Sequence, residues 1–405
     1  MDALGRAHLT AHAALNTITF RPSANFGPYA VLFDTGFYAT AFGPAMPFLA
    51  AAMGVSLSTA GLLLTALFCG SIAASAGLAW LGHRADQRLV ASGGLALIAV
   101  GIAGLAAVTA WPLGLVSALI LGVGDGLTVA AAHMLVASAG GDLPRSMGRL
   151  NIIFAVGAAA GPLWAGFLLA GGAGRGAVYG GMVAVPILAA LALRISPRIE
   201  TPAIEAHATP ASQMPLRMTS IIWIMGSVLL LYVGAEFGLG TWVSSYTQKA
   251  FGAGIAAGAV VTAGYWAALG VGRIAGNWIL GRGMAATMLL AFAIAGGLGA
   301  SLLLVLASGI FALGVLGALL AGLCFGPIWP CALGIASQDA SPRVPAILVT
   351  VGNAGGLFLP LVQGAVLDSA GPRAGMAITA ALCAAMLALL LSGQKASRAL
   401  PWRAA

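Results

Sequence analysis

Charge is what this sequence has least of: 7% of its 405 residues are Asp, Glu, Lys or Arg, against about 25% in a soluble domain. Beside a hydrophobic content of 60%, that scarcity excludes a soluble globular chain, because too few charges remain to face water over two or three domains. Cysteine is scarce as well. Cys69, Cys324, Cys331 and Cys383 all fall in apolar stretches and form no C-x-x-C pair, so neither a disulfide framework nor a zinc site is expected. The sequence has no phosphate-binding loop, no metal-ligand cluster and no nucleophile triad, which argues against an enzyme and against any cofactor. An ATP-driven pump would need its ATPase from a partner chain. Residues 1–28 carry Arg6 and Arg21 without an apolar core segment, so this stretch reads as a cytoplasmic N-terminal arm and not as a secretory signal.

What the sequence has instead is apolar length. Many stretches reach the roughly 20 residues needed to cross the hydrocarbon core of a bilayer, and 58 glycines suit helices that pack closely there. Twelve spans are expected, at 29–53, 57–81, 89–110, 113–136, 149–170, 177–194, 220–247, 254–280, 284–307, 310–336, 345–368 and 374–392. Polar clusters separate them, among them "GHRADQR" at 82–88 and "GGDLPRSMGR" at 140–149. The longest polar piece, 195–219, has four prolines and reads as a linker. It divides a six-helix bundle over 29–194 from a second over 220–392, with a cytoplasmic tail at 393–405. The net charge of +8 would suggest nucleic acid in a soluble protein. Here 15 of the 18 Lys and Arg residues fall on the side that carries both termini, and only Arg175, Lys249 and Arg373 on the other. The positive-inside rule then places both termini in the cytoplasm, in a bacterial-type inner membrane, and no nucleic acid is expected as partner.

The chain also repeats. At an offset of 198 residues, Gly36 falls on Gly234, Trp80 on Trp278 and Arg84 on Arg282. Pro144-Arg145 falls on Pro342-Arg343, Pro162 on Pro360, and Arg175 on Arg373. These scarce residue types hold one register from the first span to the sixth, as in an internal duplication. Both copies must start on the same side for the charges to agree. The fold class expected is therefore an all-α integral membrane protein of twelve transmembrane helices in two parallel-related six-helix bundles, the geometry of alternating-access carriers.

Structural residues should recur in both copies, whereas a site between the halves need not. Asp34, Asp125, His133, Glu236 and Arg273 are ionisable and inside spans, and their mates are Tyr232, Leu323, Cys331, Tyr38 and Ser75. None is duplicated. A charge at mid-helix costs roughly 2.5–3.5 kcal/mol, and a carboxyl escapes much of that by staying protonated, which ties proton uptake to the access of water or substrate. Asp125, Glu236 and Asp34 are therefore the candidate proton-coupling groups, with pairing of Asp34 to Arg273 as the structural alternative for those two. The glycines of "GVGDGL" around Asp125 leave room for another helix or for a ligand. Tyr38, His133, Asn151, Tyr232, Trp266, Arg273, Trp329, Asn353 and Gln363 are the candidate substrate-binding residues, since rings and amides suit stacking and bidentate hydrogen bonds. His133 also reads as a hydrogen-bonded wall residue. Trp242 and Trp278, near span ends, fit an interfacial belt.

At this point the residues resemble the major facilitator superfamily. Gly82 and Asp86 of "GHRADQR" match its 2–3 loop signature, although Gln87 stands where an Arg is usual. Arg88 ends the same loop, and the second copy keeps Gly281 and Arg282. Gly82, Asp86, Arg88 and Arg282 are the candidate gating residues. "YVGAE" at 232–236 and "GGLFLPLVQGAVLDSAG" at 355–371 are similar to the seventh and eleventh spans of the fucose and glucose/galactose proton symporters, and Asp125 falls where that group carries a span-4 carboxylate implicated in coupling. The first span departs from that group: it reads "AFGPAMP", without an Asn-Asp before the proline. The resemblance implies a monomeric carrier moving a small polar solute, of which a sugar is the example that group offers, with protons. "GAAAGPLWAG" at 157–166 also resembles drug–proton antiporters, so export of an amphiphile stays open, as does a non-transporting receptor or scaffold.

Overall fold

The structure is a computed structural model that describes residues 26–81, 85–138, 143–197, 219–307, 309–338 and 344–398. Gly82 and Arg84 lie outside the described residues, as do most of the polar linker and the N-terminal arm. Among the described residues fourteen helices make twelve crossings, and there is no strand. The first six spans are Phe26–Ala52, Leu57–Ala60 with Leu62–Leu81, Gln87–Ala107, Trp111–Ser138, Leu143–Ala170 and Arg175–Ile195. The second six are Ser220–Phe251, Ile255–Gly281, Ala286–Leu306, Phe311–Phe325 with Ile328–Ser337, Val344–Ser369 and Pro372–Arg398. Below, the side on which odd-numbered spans begin is the terminal side, and the other is the far side.

Two departures from the sequence expectation have local causes. Span 10 is broken, not continuous: Gly326-Pro327 interrupts it, because proline brings no N–H to the helix ladder. Among the described residues eleven helices are long and apolar enough to cross a membrane, and Phe26–Ala52 is not one of them. Asp34, Pro44, Pro47 and several hydroxyl residues lower its hydropathy. It is instead buried by its neighbours, packing most extensively on span 5 and also on span 6.

The packing repeats as the sequence does. Span 1 packs on 5, 2 on 4, 3 on 4 and 3 on 6; the same pairs recur as 7 on 11, 8 on 10, 9 on 10 and 9 on 12. Glycines set the close approaches. A Cβ on Gly157 would stand 2.1 Å from the Phe33 carbonyl oxygen, and one on its mate Gly355 would stand 1.9 Å from that of Leu230. The two halves meet through spans 5 and 8, 2 and 11, and 1 and 7. Gly43 of span 1 lies against the carbonyls of Gly240 and Thr241, Gly61 against Leu361 and Trp242, and Thr65 donates to the Leu357 carbonyl at 2.6 Å. These contacts run from mid-span to the far side.

Candidate functional site

Four of the five unduplicated ionisable residues inside spans fall into two clusters, one in each half, and His133 stands apart from both. In the N-terminal half, Asp125 sits midway along span 4 and is half-buried. Its Oδ1 accepts from the Tyr38 hydroxyl of span 1, and its Oδ2 accepts from Ser71 Oγ of span 2 at 2.7 Å. One carboxylate thus ties three helices together. The glycines beside it make that possible: a Cβ on Gly122 would stand 1.9 Å from the Leu67 carbonyl, one on Gly126 2.1 Å from that of Ser71, and one on Gly124 2.5 Å from that of Gly94. The room left by "GVGDGL" is therefore filled by spans 2 and 3. Asp34 lies one turn before Tyr38, fully buried, and neither of its carboxyl oxygens has a hydrogen-bond partner.

In the C-terminal half, Glu236 sits midway along span 7 and is 4% exposed. Arg273 Nη2 of span 8 donates to its Oε1 at 3.2 Å, and Arg273 Nη1 donates to Asn151 Oδ1 of span 5 at 3.3 Å. The expected alternative pairing of Arg273 with Asp34 is corrected here: its partner is Glu236, because spans 7 and 8 are neighbours in one bundle while span 1 packs chiefly within the other. Tyr265 donates to the Glu236 carbonyl at 2.9 Å, and the buried Tyr232 hydroxyl stands beside Glu236 and Arg273. Acid and tyrosine are one turn apart in both repeats but in opposite order, Asp34 then Tyr38, and Tyr232 then Glu236.

Aromatic rings join the clusters across the seam. Phe68 of span 2 meets Phe237 of span 7 with centroids 5.2 Å apart, Phe237 meets Trp266 of span 8 at 5.7 Å, and Trp266 meets Phe154 of span 5 at 6.4 Å. Phe68 and Trp266 are repeat mates, so the two halves close on Phe237 from equivalent positions. The Arg273 guanidinium lies 6.0 Å from the Phe154 ring.

The other expected residues separate. Trp329 packs beside Tyr232 at 6.3 Å and on Gly352, next to the half-buried Asn353. His133 Nδ1 donates to its own helix at Val129, 2.7 Å away. Gln363 is fully buried and donates to Thr379 at 3.0 Å, which places it in the core between spans 11 and 12 and not on a substrate wall. Trp242 is corrected too: it is fully buried and donates to the Pro360 carbonyl at 2.7 Å, whereas Trp278 is exposed beneath Arg282 as an interfacial ring would be. Of the gating set, Asp86 caps span 3 by accepting from the Arg88 and Leu89 amides, and Arg88 holds the end of span 6 through the Leu193 and Ser196 carbonyls. Ser71, Phe68, Phe154 and Phe237 were not singled out in the sequence. Ser71 carried a usable signal, since its mate is Leu269.

A sequence match to the Major Facilitator Superfamily covers residues 29–346. The chain belongs to that superfamily. A search of curated proteins finds no match. Among solved structures, a single-residue variant of the nucleoside transporter NupG aligns with a TM-score of 0.73 at 12% identity, over 91% of this chain and 98% of that one. The E. coli fucose:proton symporter FucP, in its outward conformation, aligns with 0.60 at 20% identity, over 91% and 99%. A bacterial homolog of the human lysosomal transporter Spinster, inward-facing and occupied, aligns with 0.71 at 15% identity, over 92% and 96%. This major facilitator protein is thus a multi-pass membrane transporter of a small solute and not an enzyme.

Proposed function

We propose that the chain is a proton-coupled secondary transporter of a small, neutral, ring-bearing polar solute, of the hexose or nucleoside type, in a bacterial-type inner membrane with both termini cytoplasmic. The observation that carries this is the Asp125 carboxyl, held at mid-membrane by Tyr38 and Ser71 with a second, unpartnered acid, Asp34, one turn below Tyr38. Gain or loss of a proton at Asp125 changes the hydrogen bonds among spans 1, 2 and 4, and buried acids of this kind are the usual means of proton coupling. The opposite wall carries a balanced pair, Glu236 with Arg273, among the rings of Tyr232, Trp329, Phe154 and Phe237. A balanced charge and ring faces favour a neutral solute that stacks. Contacts of spans 1 and 2 with spans 7 and 11 gather from mid-span to the far side, which suits a state open toward the termini, while the Arg273–Asn151 bond joins the halves nearer the terminal side.

The test is uptake by the purified protein in proteoliposomes, offered a panel of hexoses and nucleosides under an imposed inside-alkaline gradient. The expected result is accumulation of one class that collapses with a protonophore. Uptake that is indifferent to the protonophore would overturn the coupling. Resistance profiling of cells with and without the protein separates this reading from export of an amphiphile.

A further inference from the structure

The symmetry of the two halves breaks a second time, far from the central acids, at the far-side end of the C-terminal half. Arg175 and Arg373 are repeat mates, each at the start of the last span of its half. Arg175 is spent on structure: its guanidinium donates to the Val108 and Ala107 carbonyls, at the C-terminal end of span 3. The equivalent carbonyls at the end of span 9 belong to Leu306 and Val305, and Arg373 does not bond them. There the last turn is held by Tyr246, which donates to the Leu304 carbonyl at 2.6 Å. Arg373 makes no hydrogen bond or ion pair among the described residues and is exposed. It lines a cavity of about 150 Å³ with Tyr246, Lys249, Phe251, Gly309 and Pro372.

Three polar groups of this corner have no counterpart in the other half: Tyr246, Lys249 and Asp368 have Phe48, Ala51 and Ala170 as mates. Lys249 pairs with Asp368 at 3.3 Å, so one positive charge here is balanced and that of Arg373 is not. Arg373 is also in the first turn of the helix Pro372–Arg398, whose N-terminus adds partial positive charge. The loop beside Gly309 is flanked by apolar, exposed side chains: Leu306 at 72%, Ile310 at 56% and Phe311 at 41%. Cations above an exposed apolar strip are the arrangement that receives a phosphate with acyl chains beneath it.

We propose that this corner is a phosphate-binding site, formed by Arg373 and Lys249 over the cavity, and that its occupant is the headgroup of an anionic phospholipid in the far-side leaflet. The site is separate from the transport pathway, since Tyr246, Lys249, Gly309 and Arg373 all come from the outer ends of C-terminal spans and their loops. It would hold span 12 to the end of span 7 from outside, whereas in the other half Arg175 holds span 6 to the end of span 3 from within the protein.

The experiment measures binding of phosphatidylglycerol, phosphatidylcholine and sn-glycerol 3-phosphate to the purified full-length protein in detergent, by native mass spectrometry and by thermal unfolding. The wild type is expected to prefer phosphatidylglycerol, and Arg373→Gln to bind it about tenfold more weakly, the loss of one charge-assisted hydrogen bond. Arg373 makes no bond in the structure, so this variant should unfold at the wild-type temperature when no lipid is added. Arg175→Gln should unfold earlier yet keep the lipid preference. Should glycerol phosphate bind while phosphatidylglycerol shows no advantage, with Arg373→Gln abolishing the effect, the phosphate site stands and its occupant is a soluble phosphate. Equal binding of both lipids with no effect of glycerol phosphate, or a preference that survives in Arg373→Gln, would overturn the proposal.

Discussion

At the scale of single residues, the two clusters differ in how their charges are satisfied. Glu236 and Arg273 form a buried pair, with side chains 5% and 16% exposed. Removing one partner of such a pair leaves the other charge buried and uncompensated, at a cost of about 3–5 kcal/mol, whereas removing both is far milder. Arg273→Met should therefore lower the thermal unfolding midpoint sharply, and Glu236→Leu added to it should recover most of the loss; equal midpoints for the single and double variants would contradict the pairing. Asp125 is satisfied by neutral donors instead. Tyr38→Phe removes one of them, which should cost about 1.5–3 kcal/mol as a hydrogen bond to a charged group. Tyr179 is the contrast, because its buried hydroxyl has no partner, and Tyr179→Phe should leave stability unchanged or raise it, since it removes an unsatisfied buried polar group. Chemical unfolding of the three proteins in one detergent compares them directly.

At the scale of helices, glycine decides which spans touch. A Cβ on Gly122 would meet the Leu67 backbone, while one on Gly77 would meet nothing within 4 Å. Gly122→Ala forces two backbones apart and should cost about 1–3 kcal/mol or more. Gly77→Ala should stabilise by about 0.5–1 kcal/mol, since alanine loses less backbone entropy in a helix. A midpoint for Gly122→Ala at or above that of Gly77→Ala would contradict the packing described here. The helices themselves were legible in the sequence, because a lipid-facing helix announces itself by apolar length, and the repeat fixed their grouping. Glu236 and Asp125 were legible by the same repeat, as polar residues without mates. The partner of Arg273 was not, because sequence gives a residue's depth along a span but not the direction in which its side chain points. Trp242 misled for the same reason: it lies near the end of its expected span, yet it is turned inward onto Gly61 and Gly364. Ser71 was legible as a hydroxyl without a mate, since Leu269 stands in the other copy, but its bond to Asp125 was not, because that depends on the close approach of Gly126 to the Ser71 backbone.

At the scale of the whole molecule, the halves behave as two similar bodies that meet through spans 5 and 8, 2 and 11, and 1 and 7. Phe237 between Phe68 and Trp266, Gly43 against Gly240, and Thr65 on Leu357 form a seal that must part if the far side is to open. In a background without the four native cysteines, Thr65→Cys with Leu357→Cys should cross-link under oxidation and stop transport, and reduction should restore it. A cross-linked protein that transports at full rate would place the moving front elsewhere. Coupling is then the question of what the central acid does as the halves rock. The most direct measurement compares two assays on one variant, Asp125→Asn, reconstituted into proteoliposomes with its transported solute: accumulation driven by a proton gradient, and solute-for-solute counterflow without one. The account predicts that accumulation falls to the level of empty vesicles while counterflow continues, because the rocking survives and the proton site does not. Gradient-driven accumulation at the wild-type level in Asp125→Asn would contradict it.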